Sequence, residues 1–136
     1  MYHFSKILDV SFEDAIALVT KSLKQEGFGV LTQIDVKATL KKKLDADFRP
    51  YLILGTCHPQ IAYQMLEIED KAGVLYPCNV VVQEHTEGIV EVSAINPVAM
   101  FRDIHKSEAQ ELAFQASHKM RRVINSLSTA QLVTQS

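Results

Sequence analysis

The feature that most constrains this chain is a pair of apolar strands joined by a short polar loop. Residues 80–82 are all valine, residues 85–88 read His-Thr-Glu-Gly, and a second apolar segment occupies residues 89–95. A short loop that ends in glycine favours a β-hairpin, so these two strands must run antiparallel. Asn96 and Pro97 then end the second strand. The chain must therefore build at least part of an antiparallel sheet.

Strand and helix patterns alternate along the rest of the chain. Residues 2–10 and 28–34 have the period-2 pattern of half-buried strands, and residues 51–54 form a continuous apolar run typical of a buried strand. Apolar residues at helical spacing occupy residues 12–23, 36–44, 59–69 and 107–127. The second strand is predicted to direct inward Phe28, Val30, Thr32 and Ile34. The helix after it is predicted to direct inward Val36, Leu40 and Leu44. This order, with its hairpin, predicts an α+β domain with helices on one sheet face.

Composition narrows the class of protein further. The chain has 136 residues, of which 47% are apolar, so it is long enough and apolar enough for one domain with a real core. A formal net charge of −2 gives no basic footprint for nucleic acid, and no segment approaches the length of a membrane span. The N-terminus lacks a signal-peptide pattern and two cysteines are too few for a disulfide scaffold, so we expect a cytoplasmic protein. We expect one domain over residues 1–127 and a flexible tail over residues 128–136.

Polar and reactive residues interrupt the boundaries of predicted elements in two segments. Residues 55–59 read Gly-Thr-Cys-His-Pro between a buried strand and a helix, and residues 76–79 read Tyr-Pro-Cys-Asn before the next strand. A strand-to-helix turn gathers backbone N–H groups and the positive end of a helix dipole, which is typical of an anion site. If the two segments are adjacent, one pocket for a small molecule or an anion would be lined by Gly55, Cys57, His58, Cys78 and Asn79.

Four interpretations of these residues stay open. In the first, both cysteines are small buried apolar residues and His58 caps a helix. In the second, the residues line the ligand pocket. The third is a redox or sulfur-transfer dithiol, which requires the Cα atoms of Cys57 and Cys78 to lie within about 7 Å. The fourth, a metal site, is disfavoured because these residues lack paired C-x-x-C spacing, so no metal, cofactor or catalytic residue is assigned.

The same two segments carry a family resemblance. Residues 53–59 read Ile-Leu-Gly-Thr-Cys-His-Pro, and residues 73–82 read Gly-Val-Leu-Tyr-Pro-Cys-Asn-Val-Val-Val. Together with flanking residues 43–51 and 95–100, they resemble the signature of the domain of unknown function family 302. The similarity runs from about Tyr2 to Leu127. Two positions depart from the family pattern, which usually has Asn in place of His58 and often has Asp in place of Asn96.

The resemblance implies a fold more than a function. It implies a TATA-binding-protein-like α+β domain with a curved, mainly antiparallel sheet and helices packed on one face. It also implies a small homodimeric protein with no established reaction. DNA binding does not follow from the fold name, because function belongs to sites rather than folds. We therefore expect a domain that binds a small ligand or anion. A thiol redox or sulfur-carrier protein and a purely homodimeric structural module are the alternatives.

Overall fold

The computed structural model describes residues 1–128, so the predicted tail lies outside the described residues except for Ser128. The strands and helices, in chain order, are β1 (His3–Leu8), α1 (Phe12–Gln25), β2 (Gly29–Asp35), α2 (Val36–Leu44), β3 (Tyr51–Cys57), α3 (Pro59–Ile68), β4 (Cys78–Thr86), β5 (Ile89–Ile95), α4 (Pro97–Met100) and α5 (Ser107–Asn125). A single 3₁₀ turn, Ala72–Val74, lies between α3 and β4. No helix of this described part is long and apolar enough to cross a membrane.

The five strands form one open antiparallel sheet in the order β1-β5-β4-β3-β2. The predicted hairpin joins β4 and β5 and pairs Val82 with Val92. Both α1 and α5 pack on the same face of this sheet. The predicted α+β class, with an antiparallel sheet and helices on one face, is confirmed. The finer likeness to the TATA-binding-protein fold stays a prediction.

The main core lies between the sheet and these two helices. Alternate residues of the two central strands point into it and are fully buried: Val80, Val82, Val90, Val92 and Ala94. The helices contribute Leu18, Leu23, Met120 and Val123. Burial of an aliphatic side chain of this size stabilises a fold by about 1.5–3 kcal/mol. The valine-rich strands thus anchor both helices to one face.

A second, smaller core joins α3 to the N-terminal half of α5. Its buried residues are Ile61, Met65, Ala72, Phe101, Ala109, Leu112, Ala113 and Ala116. Tyr76 packs against both cores, and its ring lies 5.3 Å from that of Phe101. Because α5 belongs to both cores, it fixes α3 relative to the sheet.

The inward face predicted for the second strand is wrong beyond Val30. Val30 packs against the main core, but Thr32 and Ile34 are exposed. A β-bulge shifts the register, so that Val30 pairs with Thr56 whereas Thr32 pairs with Gly55. One extra residue in a strand moves every following side chain to the other face. Thr32 and Ile34 therefore lie on the face opposite the helices.

The inward face predicted for α2 is wrong at Leu44, whereas Val36 and Leu40 are half-buried. The helix begins as its sequence suggests, with a carboxylate oxygen of Asp35 accepting the Ala38 N–H at 2.9 Å. None of its residues is buried, however, and Leu44 is 70% exposed. Leu44 is the last residue of this short helix, and no residue of α2 belongs to either core.

The sheet face opposite α1 and α5, called here the outer face, remains accessible to solvent. Its outward side chains include His3, Ser5, Ile7, Thr32, Ile34, Tyr51, Ile53, Asn79, Val81, Gln83, Glu91 and Ser93, none of which is fully buried. Polar and apolar residues are mixed on this face. Antiparallel sheets commonly keep one face solvated, but usually with a more uniformly polar surface.

Candidate functional site

The two signature segments are adjacent, as the predicted site required. In the pairing of β3 with β4, Gly55 lies opposite Asn79 and Thr56 lies opposite Cys78. The structure nevertheless distributes the five predicted site residues over different environments. Cys78 belongs to the main core, and Asn79 is exposed on the outer face. Gly55 is buried within β3, and Cys57 and His58 are half-buried.

Cys78 is a buried structural residue. Its side chain is 3% exposed, and its Sγ lies 3.8 Å from the Sδ of Met100. The buried Thr56 hydroxyl donates a hydrogen bond to the Cys78 carbonyl at 2.8 Å. Burial, with a smaller contribution from nearby Cys57, raises the pKa of Cys78 to about 12. The Cys78 thiol is therefore protonated at neutral pH.

Cys57 lies next to the paired residues Thr56 and Cys78, but its side chain faces a different surface. It follows Thr56 by one residue, so strand alternation directs it away from Cys78. The half-buried side chain lines a shallow groove of about 420 Å³ together with Pro59, Ala62, Tyr63, Leu66 and Glu67. Burial raises the pKa of the Cys57 thiol as well. Reactive cysteines have the opposite property, a lowered thiol pKa.

His58 caps the N-terminus of α3. Its Nδ1 accepts the Ile61 N–H at 3.3 Å, and its ring meets Phe28 edge-to-face with centroids 5.5 Å apart. Burial and the positive charge of Lys119 lower the pKa of His58. The imidazole therefore stays neutral as a hydrogen-bond acceptor for the helix. This cap occupies one of the backbone N–H groups that an anion at this helix end would need.

Gly55 allows close packing between the two signature segments. A Cβ at this position would collide with Oγ1 of Thr32 and would lie 2.9 Å from Cγ of Pro77. The bulge in β2 brings Thr32 to this face, and the segment before β4 brings Pro77 to it. Glycine in the signature is thus required by side chains that pack over the backbone of β3.

The outer face holds a cleft of about 340 Å³ that includes only Asn79 of the five predicted residues. Its lining consists of Tyr2, His3, Ser5, Tyr51, Asn79, Val81, Gln83, Glu91, Ser93, Ala94 and Ile95. We call this the outer-face cleft. Its volume falls within the range of about 300–1,000 Å³ that is typical of small-molecule sites. Aromatic and aliphatic side chains therefore share the cleft with several hydrogen-bonding groups.

One set of polar groups in the cleft forms a chain across β1 and β5. Ser5 and Ser93 are cross-strand partners, and the Ser5 hydroxyl donates to Oγ of Ser93 at 2.7 Å. Nδ1 of His3 lies 2.7 Å from Oγ of Ser5. These contacts restrict the rotamers of three side chains that line the same cleft.

Two further side chains of the cleft are held by partners that do not line it. Arg49 donates through Nε to Oε1 of Gln83 at 2.9 Å. Nε2 of His85 lies 3.0 Å from Oε1 of Glu91. Gln83 and Glu91 are themselves cross-strand partners. Supporting contacts of this kind position a binding group without occupying the cleft.

Metal ligation has no support in the described part of the chain. Within residues 1–128, no three His, Cys, Asp or Glu side chains are grouped closely enough to hold a metal ion. The sequence offered three possible ligands. In the structure Cys57 is a thiol with a raised pKa, His58 caps a helix, and Cys78 is a buried thiol.

Most residues of the outer-face cleft were missed by the sequence reasoning. A signal was present in the polar residues at alternate positions of the terminal strands, His3 and Ser5 in β1 and Glu91 and Ser93 in β5. Such alternation is also the ordinary pattern of a solvated strand face. Only the register of β1 on β5 shows that these residues meet.

The fold and the cleft define a small α+β domain with one covered and one uncovered sheet face. The family model "Domain of unknown function DUF302" matches residues 4–127, and the chain belongs to this family. The predicted resemblance is therefore confirmed. An uncharacterized conserved protein DUF302 from Bacillus stearothermophilus has a similar crystal structure, with a TM-score of 0.84 and 28% sequence identity over 92% of this chain and 97% of that chain. No curated protein matches this chain.

Proposed function

We propose that this domain binds a small molecule in the outer-face cleft. The observation that carries the proposal is a set of hydrogen-bonding side chains held in fixed positions beside apolar residues, on a sheet face that α1 and α5 leave uncovered. Small-molecule sites typically combine an apolar lining with a few positioned polar groups. Two free cysteines support a reducing compartment such as the cytoplasm.

The proposal keeps part of the site expected from the sequence. Asn79 lines the cleft, and Gly55 lies opposite it on the neighbouring strand. Cys78 and His58 then support the fold next to the cleft, as core residue and helix cap. The raised pKa values of both thiols weigh against the redox alternative, and no reaction is proposed.

A protein-observed NMR screen with small fragments tests this proposal. We expect backbone amide shifts to concentrate at cleft residues such as Ser5, Val81 and Ser93. The substitution Val81→Trp should abolish these shifts, because Val81 is half-buried, faces outward and lines the cleft. Shifts that concentrate instead around Tyr63 and Leu66, or an absence of binding at the cleft, would contradict the proposal.

A second candidate function is homodimerisation through the same outer face. Exposed apolar residues lie on the outer face within and beyond the cleft: Tyr2 is 67%, Ile7 is 61% and Ile34 is 50% exposed. Large exposed apolar side chains clustered on one face are typical of protein interfaces. Analytical ultracentrifugation would show a wild-type dimer that Ile34→Lys converts to monomer. A monomeric wild type at high concentration would rule this candidate out.

A further inference from the structure

We infer that the outer-face cleft selects a neutral ligand that presents a hydrogen-bond acceptor, such as a carboxamide or ketone oxygen, beside an aromatic ring. This inference rests on the proposed function, since it specifies the ligand class of the same cleft. It follows from the direction of the hydrogen-bond chain, the charges around it and the aromatic residues of the lining.

The direction of the hydrogen bonds from His3 through Ser5 to Ser93 leaves a donor at the end of this series. A serine hydroxyl carries one hydrogen, and that of Ser5 is given to Ser93. Ser5 can then only accept from His3, so Nδ1 of His3 carries a hydrogen. The hydrogen of Ser93 has no acceptor among the side chains and backbone groups of residues 1–128. Linked donors of this kind polarise one another, which strengthens the final hydroxyl as a donor.

The charges around the cleft favour a neutral acceptor over an anion. Glu91 lies two residues from Ser93 on the same face of β5 and lines the same cleft. A carboxylate bound to Ser93 would therefore be repelled by Glu91, and this repulsion would offset its attraction to Arg49, which is held on the neighbouring Gln83. His85 neutralises Glu91 only when its imidazole is protonated. An amide or ketone oxygen avoids this cost.

A cationic ligand is disfavoured for a different reason. An ammonium group has only donors, so it cannot use the hydroxyl hydrogen at the end of the chain. The guanidinium of Arg49, which is fixed on Gln83, adds a positive charge at the edge of the cleft. Glu91 would attract a cation, but its Oε1 already lies 3.0 Å from Nε2 of His85, so fewer of its lone pairs are free for an ammonium group.

The lining also favours an aromatic ring next to the acceptor. Tyr2 and Tyr51 both line the cleft, together with the aliphatic Val81. Tyr2 meets the His3 ring edge-to-face at 4.6 Å, and Tyr51 lies 5.9 Å from the Phe48 ring, so both tyrosines are supported from one side. Aromatic pairs are attractive beyond the burial of their area, so a ring on the ligand would pack favourably against these tyrosines.

Three probes of matched size separate these alternatives: benzamide, benzoate and benzylamine. They share one ring and differ in the polar group, which is neutral with an acceptor oxygen, anionic or cationic. We expect NMR titration of the wild type to give the lowest dissociation constant for benzamide, with shifts at Ser5, Val81 and Ser93. Loss of one hydrogen bond in Ser93→Ala should weaken benzamide binding by roughly fivefold, the equivalent of about 1 kcal/mol. Ser93→Thr keeps the hydroxyl and should retain most of the affinity.

The controls distinguish failure of this inference from failure of the proposed function. Ser107→Ala, an exposed serine of α5 far from the cleft lining, should bind benzamide like the wild type. If benzoate or benzylamine binds the cleft as tightly as benzamide, or if Ser93→Ala has no effect, the ligand class is wrong while cleft binding stands. If the fragment screen also gives no shifts at the cleft, the proposed function is wrong with it.

Discussion

Replacing Gly55 by alanine tests whether the signature glycine is required by packing. The added Cβ would meet Thr32 Oγ1 and would lie 2.9 Å from Cγ of Pro77, closer than ordinary van der Waals contact. Both neighbours belong to ordered segments, one in β2 and one immediately before β4. Relief of such overpacking usually costs about 1–3 kcal/mol, so the free energy of unfolding should fall by about that amount.

Urea denaturation followed by circular dichroism measures this change, and the chain offers a matched control. Gly29 lies in the adjacent strand and pairs with Cys57, but a Cβ there would have no neighbour within 4 Å. Gly29→Ala should therefore be neutral or stabilise the protein by up to about 1 kcal/mol, because alanine restricts the unfolded chain. Equal destabilisation by the two substitutions would refute the packing explanation.

A double-mutant cycle identifies the neighbour responsible. Thr32→Ala removes the hydroxyl that the new methyl group would strike, so Gly55→Ala should cost less in that background. Residues in direct contact typically show coupling energies of about 0.5–3 kcal/mol. Recovery should be partial, because Pro77 remains in place. Purely additive effects would show that Thr32 does not restrict this position.

Three further predictions concern the signature residues. Thr56→Val removes the buried hydroxyl that donates to the Cys78 carbonyl, and urea denaturation should show a free energy of unfolding lower by about 0.5–1.5 kcal/mol. An unchanged urea midpoint would argue against this hydrogen bond. Alkylation by iodoacetamide should be slower at Cys57 than at cysteine in an unstructured peptide, and negligible at Cys78 below the unfolding transition, because burial raises the pKa of both thiols. Fast alkylation at pH 7 would favour a reactive thiol. The pKa of folded His58 lies below its ordinary value of about 6.5, so the unfolded chain takes up the proton first as the pH falls. The contribution of His58 to stability is therefore fully present above about pH 6.5 and is lost as the pH falls below it. The urea midpoint of His58→Asn should fall less than that of the wild type between pH 7.5 and pH 5.5; equal declines would contradict the neutral cap.

The order and class of the elements could be predicted because they depend on local patterns. The loop that ends at Gly88 required an antiparallel pair, and the valines on either side made that pair central to the sheet. The inward face of β2 could not be predicted, because the bulge after Val30 depends on pairing with β3. The exposure of Leu44 likewise depends on tertiary packing, because α2 lies outside both cores.

The candidate site was predictable only in part for a related physical reason. The sequence places Cys78 and Asn79 side by side, yet strand alternation sends one side chain into the core and the other onto the outer face. Similarly, Ser5 and Ser93 are 88 residues apart and meet only through the register of β1 on β5. Residues adjacent in sequence were therefore predicted to share one pocket that they do not form, and the cleft formed by residues distant in sequence was not predicted.

The central claim is that the uncovered face of the sheet is the binding surface of this domain. A crystal structure of the protein soaked with the tightest-binding fragment tests it most directly. We predict ligand density over Val81, beside Tyr51 and within hydrogen-bond distance of Ser93. Density only in the groove beside Tyr63, or an empty outer-face cleft at saturating fragment, would contradict the claim.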